Sequence, residues 1–400
     1  MHDQPLAIGV DDFEKLITKG YYYVDKTGFI KELLDKKGEV SLFTRPRRFG
    51  KTLNLSMLKY YFEDTGNEEQ NKRNAELFSG LWIADAGESY VRKMGQYPVI
   101  MLTLKSAKQR TYEEAFYCLK EAVAEEYARH EKAVIDRLEH SEDLEKYRSI
   151  RGRTAEASDY LTSIAFLSKC LYQAFGKKCV ILIDEYDVPL ENAYFCGFYE
   201  QMVSFVRSLF ESCLKSNPYL EFAVVTGCLR ISRESIFTGL NNLEVISITR
   251  KDYGEYYGFT QSEVDRMLKA YQMEEHAKDV KQWYDGYLFG ETEVYNPWSI
   301  INFVKVHVTD RDAFPVPYWA NTSSNSVVRD LVERIDDEEG ELKEELEHLM
   351  NGGTIEKPIH EDITYDSIYD SQDNLWNFLF FTGYLKKVAA RQEGESQILT

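Results

Sequence analysis

Short aliphatic runs recur along the first part of the chain, and each is followed by a stretch with apolar residues three and four positions apart. Val40, Leu42 and Phe43 predict a strand over 39–44. Leu53, Leu55, Met57, Leu58, Tyr61 and Phe62 predict a helix over 52–64. Further strands are predicted over 97–104, 179–183, 220–226 and 243–248; the third run, Cys179-Val180-Ile181-Leu182-Ile183, is the most apolar of all. Helices are expected over 28–37, with Thr27 as its cap, and over 111–148, 155–175 and 199–216. The helix over 111–148 is dense in Glu, Lys and Arg, which predicts a solvated face. Strands alternating with helices predict parallel pairing and an α/β sheet. After Arg250 the strand pattern stops. Residues 251–305 read as helical and aromatic, broken at Gly286, Gly290 and Pro297, and 321–350 as a charged helix ended by Gly352 and Gly353. The last stretch, with a helix over 375–382 among short extended runs, reads as a small winged-helix-like module. The expected domains are therefore an α/β core over 1–250, a helical lid over 251–350 and the module over 351–400.

Composition narrows the classes. A chain of 400 residues exceeds what one core serves well, and 44% hydrophobic residues is ordinary for a globular protein. The formal net charge of −19 repels phosphate backbones, so any anion site needs its own focused positive charge. That makes Arg45, Arg47, Arg48 and Lys51, clustered within one turn, informative. The six cysteines form no C-x-x-C pair and have no histidine at zinc-ligand spacing, which predicts reduced thiols. The N-terminus carries no signal-peptide pattern, and no apolar run approaches the ~20 residues that span a bilayer. The expectation is a cytoplasmic protein with no membrane partner.

The candidate chemistry lies between the first strand and its helix. The window Arg45-Pro46-Arg47-Arg48-Phe49-Gly50-Lys51-Thr52 matches the second half of G-x-x-x-x-G-K-[ST], with Arg45 in place of the first glycine. Gly50 lets backbone amides turn toward a phosphate, and the helix N-terminus beyond it adds partial positive charge. Lys51 is expected to reach the β- and γ-phosphates, and the Thr52 hydroxyl to ligate Mg²⁺. Pro46 is expected to fix the turn that a glycine would otherwise permit. Arg47 and Arg48 either add charge to the phosphates or pair with acids; the sequence leaves both open. Downstream, the apolar run ends in Asp184-Glu185-Tyr186-Asp187. Asp184 at the end of a buried parallel strand fits a magnesium-holding acid, and Glu185 a general base for the attacking water. Asp187 is a third nearby acid. Thr226, ending the next strand, is expected near the γ-phosphate as a polar sensor, with Arg230 and Arg233 just beyond it.

These residues together resemble the AAA-ATPase-like family of bacterial and archaeal P-loop proteins. The resemblance rests on Ile8-Gly9 with Phe13, on Tyr23-Val24-Asp25-Lys26-Thr27, on the window from Arg45 through Leu53, and on Leu182-Ile183-Asp184-Glu185-Tyr186-Asp187. It rests further on Thr226-Gly227 with Leu229-Arg230-Ile231, Phe237-Thr238-Gly239-Leu240-Asn241-Asn242, Trp283-Tyr284-Asp285-Gly286-Tyr287 and Tyr295-Asn296-Pro297-Trp298-Ser299. Arginine in place of the first glycine is a feature of that family. The resemblance implies a P-loop NTPase core of the additional-strand, catalytic-Glu type, with the Thr226 strand between those of Lys51 and Asp184. It also implies a helical lid, a winged-helix region, an adenine side lined by residues 8–25, and a PD-(D/E)xK nuclease-like domain following on the C-terminal side. Glu341-Leu342-Lys343 fits E-x-K but sits in a charged helical run, so no nuclease centre is expected within these residues.

The functional expectation is an ATPase in which ATP and Mg²⁺ drive a switch between core and lid. Lys51, Glu185 and Thr226 are its catalytic residues, Arg45 to Leu53 cradle the nucleotide, and Thr52 and Asp184 hold the metal. Two alternatives stay open: a non-hydrolysing nucleotide-binding regulatory module, and a DNA-associated ATPase of a defence or mobile-element system. The acidic charge and the absence of a basic stripe count against strong DNA binding. An arginine supplied by a neighbouring subunit would make the protein an oligomer.

Overall fold

The computed structural model describes residues 4–229, 236–237, 239–319, 340–361, 363–365, 367–368, 370–393 and 396–400. Five parallel strands form the central sheet: β1 (Val40–Thr44), β2 (Val99–Thr103), β3 (Cys179–Asp184), β4 (Leu220–Gly227) and β5 (Leu243–Ile246). Their order is β2-β3-β4-β1-β5, so the strand ending at Thr226 and Gly227 lies between the strand before the phosphate-loop window and the strand ending at Asp184. β1 and β3 are buried along their whole length. That explains why they read as continuous apolar runs instead of alternating ones: helices cover both faces of a parallel sheet. The register sets Phe43 beside Thr226 and Thr44 beside Gly227, which brings the ends of β1, β3 and β4 to one edge of the sheet.

The helix Lys51–Phe62 runs back from β1, and the N-terminal segment lies along it. Asp12 caps the helix Phe13–Thr18, Phe13 N donates to Ser56 Oγ at 2.9 Å, and Tyr60 donates to Asp12 Oδ2 at 3.1 Å. Thr27 does not cap its helix. It already has helical angles (φ −65°, ψ −14°), and its hydroxyl donates to Asp25 Oδ1 at 2.7 Å and accepts from Ile83 N at 3.1 Å. The predicted long charged helix is two, Tyr112–Val134 and Ser141–Arg151. Its charges are not all in water. Glu126 and His130 are buried against the outer edge of β2, where Glu126 Oε1 accepts from Met101 N at 2.8 Å and His130 Nε2 lies 3.0 Å from Val99 O. The Arg129 guanidinium joins them, donating to Glu126, Glu63 and Val99 O. Side chains thus take over hydrogen bonding that another strand would supply.

The lid region is not purely helical. Two strands, β6 (Asp285–Phe289) and β7 (Thr292–Tyr295), form an antiparallel hairpin turned at Gly290, whose φ is +59°. Around it pack the helices Gln261–Ala270, Ala277–Tyr284 and Pro297–Thr309, with their own apolar core of Val264, Met267, Ile300 and Phe303. Toward the C-terminus come the helix Gly340–Met350, which contains the E-x-K run, and the helix Gln372–Thr382. A three-stranded antiparallel sheet accompanies them: β8 (Lys357–Ile359), β9 (Ala390–Glu393) and β10 (Ser396–Leu399), in the order β8-β10-β9. Among the described residues, no helix is long and apolar enough to cross a membrane.

Candidate functional site

The turn between β1 and its helix has two positive-φ residues, Arg48 (+70°) and Gly50 (+80°), and Gly50 is the N-cap. Alternating left-handed residues at a helix start turn successive amides toward one point, a concavity suited to an anion. Among the described residues, none of the backbone amides of Arg47 through Leu53 donates to a protein acceptor. Lys51 Nζ bends back over the turn, donating to Arg45 O at 2.8 Å and Pro46 O at 2.9 Å, and lies 3.5 Å from Cys228 Sγ. The turn therefore holds a cation and a ring of uncommitted donors with no acid in hydrogen-bond contact with the lysine.

Asp184 is the hub on the opposite side. It is buried, and its two oxygens accept from Thr52 Oγ1 at 2.7 Å and Thr226 Oγ1 at 2.5 Å. The structure thus brings Lys51, Thr52, Asp184 and Thr226 together from three adjacent strands. Glu185 follows in a left-handed conformation (φ +53°), rare for a residue with a side chain and a place where backbone strain is stored. Burial, and then the neighbouring Asp184 charge, push its carboxyl above the usual glutamate range, while Lys105 and Lys51 pull it down. Asp187 is fully enclosed, and burial raises its carboxyl too.

The arginines divide. Arg45 does not face the amide concavity: its side chain is completely buried beneath the turn. Nη1 donates to Thr44 O at 2.9 Å and Ile246 O at 2.8 Å, and the guanidinium lies 5.1 Å from the Tyr257 ring and 5.0 Å from that of Phe289. Burial lowers it to about 10, which leaves it charged at neutral pH. Arg47 pairs with Glu191 at 2.7 Å, and Arg48 lies 4.3 Å over the Trp298 ring of the lid. Pro46 is buried against Gly383, Phe49 packs on Tyr287 and Phe289, and Leu53 is half-buried on the core. Arg230 and Arg233, with Ile231 and Thr238 of the motif residues, lie outside the described residues.

Several neighbours carry no role in the sequence reading. Asn296 caps the helix Pro297–Thr309 through Ser299 N, and its Nδ2 reaches Arg47 O at 3.4 Å; Trp319 Nε1 reaches the same carbonyl at 3.3 Å. The Asn-Pro pair marks that cap in the sequence, but nothing local reveals its distant carbonyl partner. Cys228 and Glu191 likewise become visible only through pairings across the fold. Among the described residues no three His, Cys, Asp or Glu side chains cluster as a self-sufficient metal cage.

A five-stranded parallel sheet with an amide-lined turn at its carboxyl edge fits a P-loop-like core. The chain belongs to the AAA-ATPase-like family, described as Predicted AAA-ATPase, whose match covers residues 7–237. That membership supports nucleotide binding. The chain is also similar to a protein of Azotobacter chroococcum mcd 1 described as "Uncharacterized protein in vnfD 5'region", with 30% identity over 335 residues. The alignment covers 83% of this chain and 57% of that protein, so the chain spans little more than half of its relative's length.

Proposed function

We propose that this protein binds ATP with Mg²⁺ and hydrolyses it, using the turn after β1 as the phosphate cradle. The observation that carries the reading is the set of uncommitted amides from Arg47 through Leu53 closed over by Lys51, beside Thr52 and Thr226 converging on Asp184. Lys51 would leave the Arg45 and Pro46 carbonyls for the β- and γ-phosphates. The hydroxyl–carboxylate pair of Thr52 and Asp184 suits Mg²⁺, which takes one or two protein ligands and completes its shell with phosphate and water. When bound, the ion neutralises charge developing on the phosphate oxygens. Glu185, just past Asp184, orients and deprotonates the attacking water, and Thr226 contacts the γ-phosphate side.

Contacts from the lid support a switch. The Arg47 carbonyl is held by Asn296 and Trp319, and Arg48 lies on Trp298, so movement of the turn on binding phosphate acts directly on the lid. The winged-helix-like reading of the C-terminal module, and a nuclease-like partner domain, belong to the same proposal at the level of family resemblance. Calorimetry of Lys51→Ala tests the site: ATP affinity equal to that of the wild type rejects it. Phosphate release tests the chemistry: Glu185→Gln should retain ATP binding and lose release.

A further inference from the structure

Asp187 sits one turn beyond the acidic strand end, yet its side chain serves the neighbouring strand. Oδ2 accepts two consecutive amides of the turn after β4, from Cys228 N at 2.7 Å and Leu229 N at 3.1 Å. Oδ1 is buried, with no hydrogen-bond partner among the described residues. Tyr186, the residue before, holds the same turn from the other side: its N donates to Thr226 O at 3.1 Å and its hydroxyl donates to Leu229 O. Gly227 is what allows this approach. A Cβ there would lie 2.4 Å from the Tyr186 ring and 2.9 Å from Asp187 Oδ1. The two strand ends are thus joined at Thr226–Leu229 on one side and Tyr186–Asp187 on the other. Between them sit the Thr226 hydroxyl on Asp184 and the Cys228 thiol against Lys51.

The same helix start reaches the phosphate turn. Asp187 is the N-cap of the helix Val188–Cys196, and Glu191 in its first turn pairs with Arg47. One short element therefore grips both the turn that bears Lys51 and the turn that bears Thr226. We infer that Asp187 is a positioning residue for the proposed hydrolysis: its carboxylate holds the Gly227–Leu229 turn so that Thr226 and Lys51 face the same phosphate. This inference rests on the nucleotide-site reading above. A buried carboxylate left half-satisfied costs folding free energy, and fixing two amides beside the reacting groups gives it a function that offsets that cost.

The experiment uses the whole chain, with Asp187→Ala, Asp187→Asn and Lys51→Ala compared by steady-state phosphate release and by alkylation of Cys228 read by peptide mass spectrometry. Asp187→Ala is expected to lower kcat by about a hundredfold with KM within about twofold, because misplacement acts on the transition state rather than on binding. Cys228 alkylation should accelerate by about tenfold as its turn opens more often. Asp187→Asn keeps an oxygen for both amides and should stay within about threefold of wild type in both measurements. A kcat for Asp187→Ala within about twofold of wild type overturns the inference. If the alanine variant does not fold, the asparagine variant decides: a loss beyond about tenfold there means that charge, not placement, matters, and also overturns it. Lys51→Ala separates the two failures. Unchanged ATP affinity in that variant removes the nucleotide reading itself, whereas abolished affinity together with an unaffected Asp187→Ala removes only the positioning role.

Discussion

Arg45 shows how one residue can satisfy a motif position by doing something else. It continues the face of β1 that carries Phe43, and both side chains meet Tyr257, Phe43 at a ring distance of 5.5 Å. The guanidinium fills space beneath the turn and joins the carbonyls of Thr44 and Ile246. Restoring the consensus with Arg45→Gly should therefore destabilise the fold by about 3 kcal/mol or more, as a cavity opens among aromatic rings. Urea unfolding measures this, and wild-type stability in the variant would contradict it. The sequence placed Arg45 in the right turn but on the wrong side of it. The alternation from Phe43 to Arg45 was the available signal, and it was masked by the fit of the whole window to a phosphate loop. Glu185 makes a second residue-level prediction. In its proposed role as general base it works only when ionised, and burial, then the Asp184 charge, raise the pH at which this carboxyl ionises. Turnover should rise with pH through that raised value, so its acid limb should lie above the ordinary glutamate range. A pH profile of kcat checks this, and Glu185→Gln should lack the limb.

At the scale of elements, the strands were legible because a parallel sheet buried on both faces leaves unbroken apolar runs. The order of those strands was not, since register across β1, β4 and β3 is set by packing far apart in sequence; only the family resemblance anticipated it. The hairpin Asp285–Phe289 with Thr292–Tyr295 escaped reading because its tyrosines and glycines sit among helices, although Gly290 marks its turn. The helix Tyr112–Val134 has the solvated face that its charge density suggested, with Glu113, Glu114 and Glu125 exposed, but the pattern did not reveal that Glu126 is buried and tied to Met101 N, Arg129 and His130. Its carboxyl is held well below the usual range by Arg129 and His130 despite its burial. Glu126→Ala should cost about 2 kcal/mol, because it leaves the Met101 amide without its acceptor and takes one of the acceptors of Arg129. Thermal unfolding measures the loss, and a change under about 0.5 kcal/mol, the size of a surface substitution, would show that solvent replaces the carboxylate freely.

Across the whole molecule, aromatic packing joins core and lid, and buried polar links cross the same boundary. Lys26 Nζ donates to Glu263 at 2.6 Å and to Glu255 O at 2.6 Å, tying the N-terminal segment to the helix Gln261–Ala270. Asn54, on the helix Lys51–Phe62, reaches Tyr256 O at 3.0 Å. Glu263→Ala leaves an ammonium in a site that already depresses its ionisation through burial. It also removes half of the capping box at Thr260. The expected result is a loss of about 3 kcal/mol, concentrated in the lid. Hydrogen exchange should quicken over the helix Gln261–Ala270 while β1 and β3 stay protected; equal acceleration in both would mean that the lid does not open separately.

The outer margin of β2 bears on how copies of this protein can meet. Val99 O and Met101 N are already engaged by His130, Arg129 and Glu126, and these side chains stand where an incoming backbone would have to lie. A peptide or a second copy cannot extend the sheet there by adding a strand without first dismantling an ion-paired cluster anchored on buried Glu126 and His130. A ring or dimer that uses this margin must therefore join through side-chain surfaces, because strand addition at β2 is already blocked.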